Sequence, residues 1–138
     1  MRLAVVICSA TLVSLVVLAP ATAAAKHAAT GTLAGRTQIG TSCPVPPASG
    51  TCDSWQPLPH ATFTVTRLNS AGREIAGTTR TVKSNSRAAF RVVLRVGSYL
   101  VKPIPGAATR GGTPHRVHIA AGATTKTTVR FLTRSQPA

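Results

Sequence analysis

From Ala61 to Arg67 the chain reads Ala-Thr-Phe-Thr-Val-Thr-Arg, apolar and hydroxyl side chains in strict alternation. A period of two sends successive side chains to opposite sides of an extended backbone, so Phe63 and Val65 are expected in a core and Thr62, Thr64 and Thr66 in water. A helix would scatter those residues around its circumference, whereas a strand buries them on one face. Asn69-Ser70-Ala71-Gly72 supplies turn residues, and a second strand is expected from Arg73 to Lys83, with Ile75 as its apolar anchor. The two form a hairpin in this reading. Ser84-Asn85-Ser86 turns the chain again, after which Ala88, Phe90, Val92, Leu94 and Val96 share one face and Arg87, Arg91 and Arg95 the other. A spacing of four also suits a helix, but Val92, Val93 and Val96, with Gly97 at the end, favour a strand.

Ser98 to Lys102 continue extended through Tyr99 and Val101 until Pro103 and Pro105 stop the pairing. Arg110-Gly111-Gly112-Thr113-Pro114 reads as a loop. Two last strands follow, with Val117 and Ile119 inward on one, Val129 and Phe131 inward on the other, and Ala121-Gly122-Ala123 between them. With Thr30 to Ile39 as the first strand, the count is seven. The expected fold is an all-β, seven-stranded antiparallel sandwich, and no segment demands a helix.

The 138 residues suffice for one such core. Ahead of it, Arg2 precedes an uncharged apolar run from Leu3 to Ala19, and Pro20 then introduces Ala21-Thr22-Ala23. That order is the one of an export signal cut after Ala23 or Ala25; a retained anchor is the rival reading, because a run of about 17 residues is at the short limit for spanning a bilayer. The expected layout is a signal peptide over 1–23, a flexible lead over 24–29, the sandwich over 30–133 and a loose tail over 134–138. Cys8 lies inside the apolar run without the cleavage-type residues that a lipid-modified cysteine needs before it. Its removal leaves Cys43 and Cys52, an even pair in an exported chain, which favours a disulfide over free thiols or a metal. A bridge closing a Pro-rich loop of about ten residues (43–52) contributes about 2.7 kcal/mol in the chain-entropy picture.

Pro57-Leu58-Pro59-His60-Ala61-Thr62-Phe63-Thr64-Val65, then Gly72-Arg73-Glu74-Ile75, Phe90, and Leu94-Arg95-Val96-Gly97-Ser98-Tyr99 resemble the carboxypeptidase regulatory-like domain. That resemblance implies a prealbumin-type (Ig-like) sandwich used as a module in exported proteins. The Leu-x-x-Gly-x-Tyr step is its most specific part, since Gly97 can adopt a conformation closed to residues with a Cβ while Tyr99 returns a ring to the core. Upstream, Gly31 to Cys52 resembles small exported bacterial proteins in which a cysteine loop precedes this domain. The family's Asp-x-x-Gly-x-Phe turn stands here as Asn85 to Phe90 without acid or glycine, which argues against calcium. The isopeptide chemistry of related collagen-adhesin domains needs a buried acid and is not carried over.

Sixteen Lys and Arg face two acids, Asp53 and Glu74, for a formal charge of +14; loss of Arg2 with the leader would leave +13. Paired carboxylates for acid/base catalysis are not to be expected from acids in a cysteine loop and a hairpin, and no Gly-x-Ser-x-Gly elbow occurs. No enzymatic activity and no cofactor are expected. His115 and His118, three apart on a strand, point to opposite faces, and only a bend at Pro114 or a third ligand such as His60 could make them a metal site. Arg87, Arg91 and Arg95, about 13 Å apart in succession, are the candidate anion-binding stripe; the plainer reading is a solvated face that discourages edge aggregation. Trp55 is the candidate ligand contact, or else it packs over the cysteine loop.

Phe63, Phe90, Tyr99 and Phe131 fall on core faces, which removes stacking platforms for bases, so specific nucleic-acid binding is not expected. The functional expectation is a non-catalytic interaction or structural module, secreted or associated with the cell envelope. Its partner would be an anionic polymer or a protein at the envelope, with no stable membrane span once the leader is cleaved. The alternative is a cationic effector that binds envelope polymer, lipid or nucleic acid through charge alone.

Overall fold

A computed structural model describes residues 28–40 and 54–134. They form eight strands: β1 (Thr30–Gly40), β2 (Trp55–Pro57), β3 (Thr62–Arg67), β4 (Arg80–Lys83), β5 (Ala89–Arg95), β6 (Gly97–Pro103), β7 (His115–Ile119) and β8 (Thr124–Leu132). No helix occurs among the described residues, and so none that is long and apolar enough to cross a membrane. The expected signal peptide, Cys43, Cys52, Asp53 and residues 135–138 lie outside the described residues.

The strands build two sheets. In one, β1 pairs antiparallel with β5 along Thr30–Arg36 and with β2 along Gln38–Gly40, while β8 runs parallel to β1 from Thr32 to Gly40. Because β8 occupies one edge of β1 over that length, β5 and β2 share the other. The second sheet has the order β4-β3-β6-β7, antiparallel throughout. Eight strands with one parallel pair therefore replace the seven antiparallel strands expected. The short β2 is a three-residue continuation of the β5 edge, too brief to show a period. The β1–β8 pair joins segments far apart in sequence, so no local pattern announces its direction.

Leu33, Phe90, Val92, Leu94, Val129 and Phe131 of the first sheet meet Phe63, Val65, Val82, Tyr99, Val101 and Ile119 of the second in a single core. The Phe63 and Phe90 rings span the two sheets edge-to-face, with centroids 4.7 Å apart and planes at 65°, a geometry that adds about 0.5–1.5 kcal/mol to their area burial. A buried polar knot sits beside this contact. The Thr37 hydroxyl on β1 donates to the Leu58 carbonyl at 2.6 Å and lies 2.9 Å from Ser84 Oγ, which accepts from the Ala61 N–H. Thr37 and Ser84 are both buried, and their mutual satisfaction is what makes hydroxyls tolerable there.

The strand expected from Arg73 to Lys83 is regular only over Arg80–Lys83; residues 68–79 form a loop that returns through a Leu68–Glu74 bridge, and Ile75 is only half-buried. Asn69 causes this, because its side-chain oxygen accepts the N–H groups of Ala71 and Arg73 and curls the chain locally. The extended stretch expected from Ser98 to Lys102 is β6, and it belongs to the other sheet. Val96 alone links β5 in the first sheet to β6 in the second. Gly97, at φ 149°, adopts the corner conformation that a side chain disfavours. Tyr99 is buried, and its hydroxyl donates to the Arg95 carbonyl at 2.8 Å, fixing the corner from inside.

Candidate functional site

The outward positions of the first sheet form a legible grid, because partners in register share a face. Across β5, β1 and β8 the rows are Val93–Thr32–Thr124, Arg91–Ala34–Lys126 and Ala89–Arg36–Thr128, with Thr30–Arg95 beyond the first. Past the last come Pro57–Gln38–Arg130 and Trp55–Gly40–Leu132, with β2 in place of β5. Arg36, Arg91, Arg95, Lys126 and Arg130 are all exposed on this one face. Ala34, Ala89, Thr32 and Thr128 give it a low floor. A surface trough of about 550 Å³ lies there, walled by Arg36, Gln38 and Lys126 over Ala34 and Ala89.

Among the described residues, Arg36, Arg91, Arg95 and Lys126 make no side-chain hydrogen bond or ion pair. The acid supply explains this: Glu74 is the sole carboxylate side chain among the described residues, and it pairs with Lys102 at 2.7 Å on the other sheet. Arg130 is the exception on the grid, its guanidinium lying 4.8 Å from the centroid of the Trp55 ring. Trp55 itself lies over Gly40, where an added Cβ would press on the indole at 2.7 Å. The indole is therefore held between a backbone floor and a cation rather than presenting a bare face.

Of the expected stripe, Arg91 and Arg95 stand exposed on β5, which is an edge strand. Arg87 does not join them on the strand. It belongs to the turn before β5, where Asn85 Oδ1 accepts the N–H groups of Arg87 and Ala89 and Ala88 takes φ 57°. Arg87 is exposed like Arg91 and Arg95 but lies ahead of β5, in a turn that the left-handed Ala88 closes. The β5 edge is guarded by a different cation: Arg80 Nη1 donates to the Val93 carbonyl at 3.0 Å, occupying one of the open backbone acceptors that an edge exposes.

Arg36, Lys126 and Arg130 were not singled out from sequence. Lys126, Thr128 and Arg130 alternate with Thr127, Val129 and Phe131, so their outward direction was readable; their meeting with Arg36 and Arg91 depends on the distant β1–β8 pairing.

His115 and His118 point to opposite faces of β7. His115 is half-buried, with Nε2 2.8 Å from Thr127 Oγ1 across the seam between the sheets, whereas His118 is exposed with Nδ1 3.4 Å from Ser98 Oγ. Burial holds the His115 imidazole below its usual pKa, against a Thr113 backbone hydrogen bond that acts in the opposite direction. His60 is exposed in the turn before β3. Among the described residues, no three His, Cys, Asp or Glu side chains gather into a possible metal site.

No family model matches the chain, and no curated protein matches it. Solved structures do. The minor pilin of Streptococcus agalactiae aligns with a TM-score of 0.53 at 17% identity, over 80% of this chain and 48% of the pilin. The major pilin SpaD of Corynebacterium diphtheriae aligns with a TM-score of 0.52 at 22% identity, over 75% of this chain and 32% of the pilin. A Pseudomonas aeruginosa protein described as a candidate carbohydrate binding protein aligns with a TM-score of 0.51 at 12% identity, over 78% of this chain and 92% of its own. The chain thus spans less than half of these two pilins and nearly the whole of the third protein. At these identities the likeness is one of fold: the chain shares an all-β, Ig-like sandwich architecture with these domains, and no family model ties it to the carboxypeptidase regulatory-like domain.

Proposed function

We propose that the protein is a non-catalytic structural or adhesive module of the cell envelope, exported by its leader and presenting the outer face of the β5–β1–β8 sheet to a partner. The observation that carries this reading is the sandwich fold shared with pilin domains of bacterial surfaces. The deployment of titratable groups is in keeping with it, since Glu74 is engaged by Lys102 at the surface and His115 and His118 face apart. A general acid and base need to converge on one reacting atom.

The proposal includes the Cys43–Cys52 bridge. Gly40 and Trp55 are register partners at the end of β1 and the start of β2, and Cys43 stands three positions after the first and Cys52 three positions before the second. Equal offsets from a paired position suit a cross-strand link.

Protease shaving of intact cells, with mass spectrometry of the released peptides and of the medium, tests the placement. Peptides of residues 30–133 should appear outside the cell, and the mature N-terminus should be Ala24 or Lys26. Recovery of the chain in the cytoplasm with its leader intact would overturn the reading. The cationic-effector alternative draws on the bare arginines of the outer face; it differs in requiring total charge and not its location.

A further inference from the structure

Five cations on one face, in a chain with almost no acids, raise the question of what neutralises them. Their placement is not uniform. Along β1 the cationic rows fall at Thr30 (Arg95), Ala34 (Arg91 and Lys126), Arg36 and Gln38 (Arg130). Outward positions on a strand repeat every ~6.8 Å, so this band runs for about 27 Å from the Arg95 corner to the Arg130–Trp55 corner, crossing from β5 over β1 to β8. The floor between the flanking cations is Ala and Thr, low enough for a narrow chain to lie on the sheet. Val93, 56% exposed beside Arg91 and Arg95, adds an apolar contact at one end.

We propose that this face docks a linear polyol-phosphodiester polymer, gripped through its phosphates. The inference rests on the envelope placement above for the polymer's availability, not for its recognition. A band of single charges along a strand-length trough suits a ligand that is itself linear, with one negative charge per short repeat. Guanidinium groups, four of the five cations, offer forked donors matched to phosphate oxygens. Ring-bearing polyanions fit less well. Sugar rings and bases are commonly held by stacking on aromatic faces, and here Phe63, Phe90, Tyr99 and Phe131 are buried while the Trp55 ring is taken by Arg130. A slender backbone without rings reaches the Ala34 and Ala89 floor, where pyranose or base edges would keep the phosphates or carboxylates away from the cations.

The test is a binding titration of the purified protein with linear poly(glycerol phosphate), beside polygalacturonate and oligothymidylate of matched charge. With four or five phosphates neutralised, the affinity should fall with salt with a log–log slope of about 3, on the single-strand scale. Arg36→Gln, Lys126→Gln and Arg130→Gln together should reduce affinity about tenfold or more and lower that slope by about 2. Arg73→Gln, Lys83→Gln and Arg116→Gln, the same charge removed away from this face, should leave affinity within about twofold. Circular dichroism and melting curves check that each variant is folded, and Arg91→Gln with Lys126→Gln gives a second, smaller lesion on the face.

Equal losses from the two triple variants would overturn the docking face in favour of bulk charge. Polygalacturonate or oligothymidylate binding as tightly as poly(glycerol phosphate) would overturn the ligand class, and no binding by folded protein would overturn the proposal entirely. None of these outcomes touches the shaving experiment, so a failure of the docking face and a failure of envelope placement are told apart.

Discussion

The two outer faces of the sandwich are built from the same few residue types and differ in how far their cations are engaged. On the β4-β3-β6-β7 sheet, Thr62, Thr64 and Thr81 dominate, Lys102 is neutralised by Glu74, and Arg116 Nη2 donates to the Gly72 carbonyl at 3.4 Å. On the β5–β1–β8 sheet no acid stands among the described residues, and four of the cations are exposed without a side-chain bond to any of those residues. One acid and one backbone carbonyl, both on one side, make the contrast. Local pairing, rather than overall composition, therefore decides which surface of a very basic chain is available to an anion.

The strongest way to break this contrast is to dismantle the basic face from beneath. Gly35 lies in β1 opposite Thr127, and a Cβ there would collide with the Thr127 carbonyl and press on the Phe90 ring at 3.1 Å. Gly35→Ala should cost about 3 kcal/mol, read as a lower urea midpoint, because the obstacle is backbone and cannot swing aside. An unchanged midpoint would show that β1 and β8 are not clamped at this point.

Thr37→Val comes next. It leaves the Leu58 carbonyl and Ser84 without the hydroxyl that ties the first sheet to the second, and should cost about 2 kcal/mol. Ser84→Ala in the same background should then cost much less than it does alone, since the pair acts as a unit.

Glu74→Gln sharpens the comparison instead of breaking it. The Lys102–Glu74 pair is about two-fifths exposed on each side, so its loss should change stability by no more than about 0.5 kcal/mol. It should nevertheless unmask Lys102 on the second face. A large drop in melting temperature would mean that the pair is structural after all.

The smallest effect concerns pH. Burial favours neutral His115 in the folded protein, so the unfolded chain takes up a proton more readily. Stability from this residue is present above its unfolded pKa of 6.5 and declines as pH falls from 6.5 toward the lowered folded value. His115→Gln should flatten that part of the stability profile, and an unaltered slope would exclude His115 as its source.

Much of the fold was legible from side-chain period alone. The alternations at Phe63–Val65, Phe90–Leu94, Val117–Ile119 and Val129–Phe131 correspond to strands, and their inward residues share one core. Legibility ended where tertiary geometry or a hydrogen-bonded turn replaced period. Asn69 curled the segment expected to be strand, the turn at Asn85 held Arg87 ahead of the strand that carries Arg91, and Val96 moved the chain to the other sheet without changing its extended character. The basic face was half visible: Arg91 and Arg95 share a strand, whereas their association with Arg36, Lys126 and Arg130 depends on a parallel pairing that bridges nearly the whole described chain.

That parallel ladder also governs when the molecule can close. Thr32 and Thr124 are partners, so a segment made early must wait for one made late before the sheet has its centre. Contacts of such long sequence separation slow folding, because loop-closure entropy is lost before they form. A polypeptide arranged in this way stays open until its last strand has been made, and the trough over Ala34 comes into being only once β8 has paired with β1.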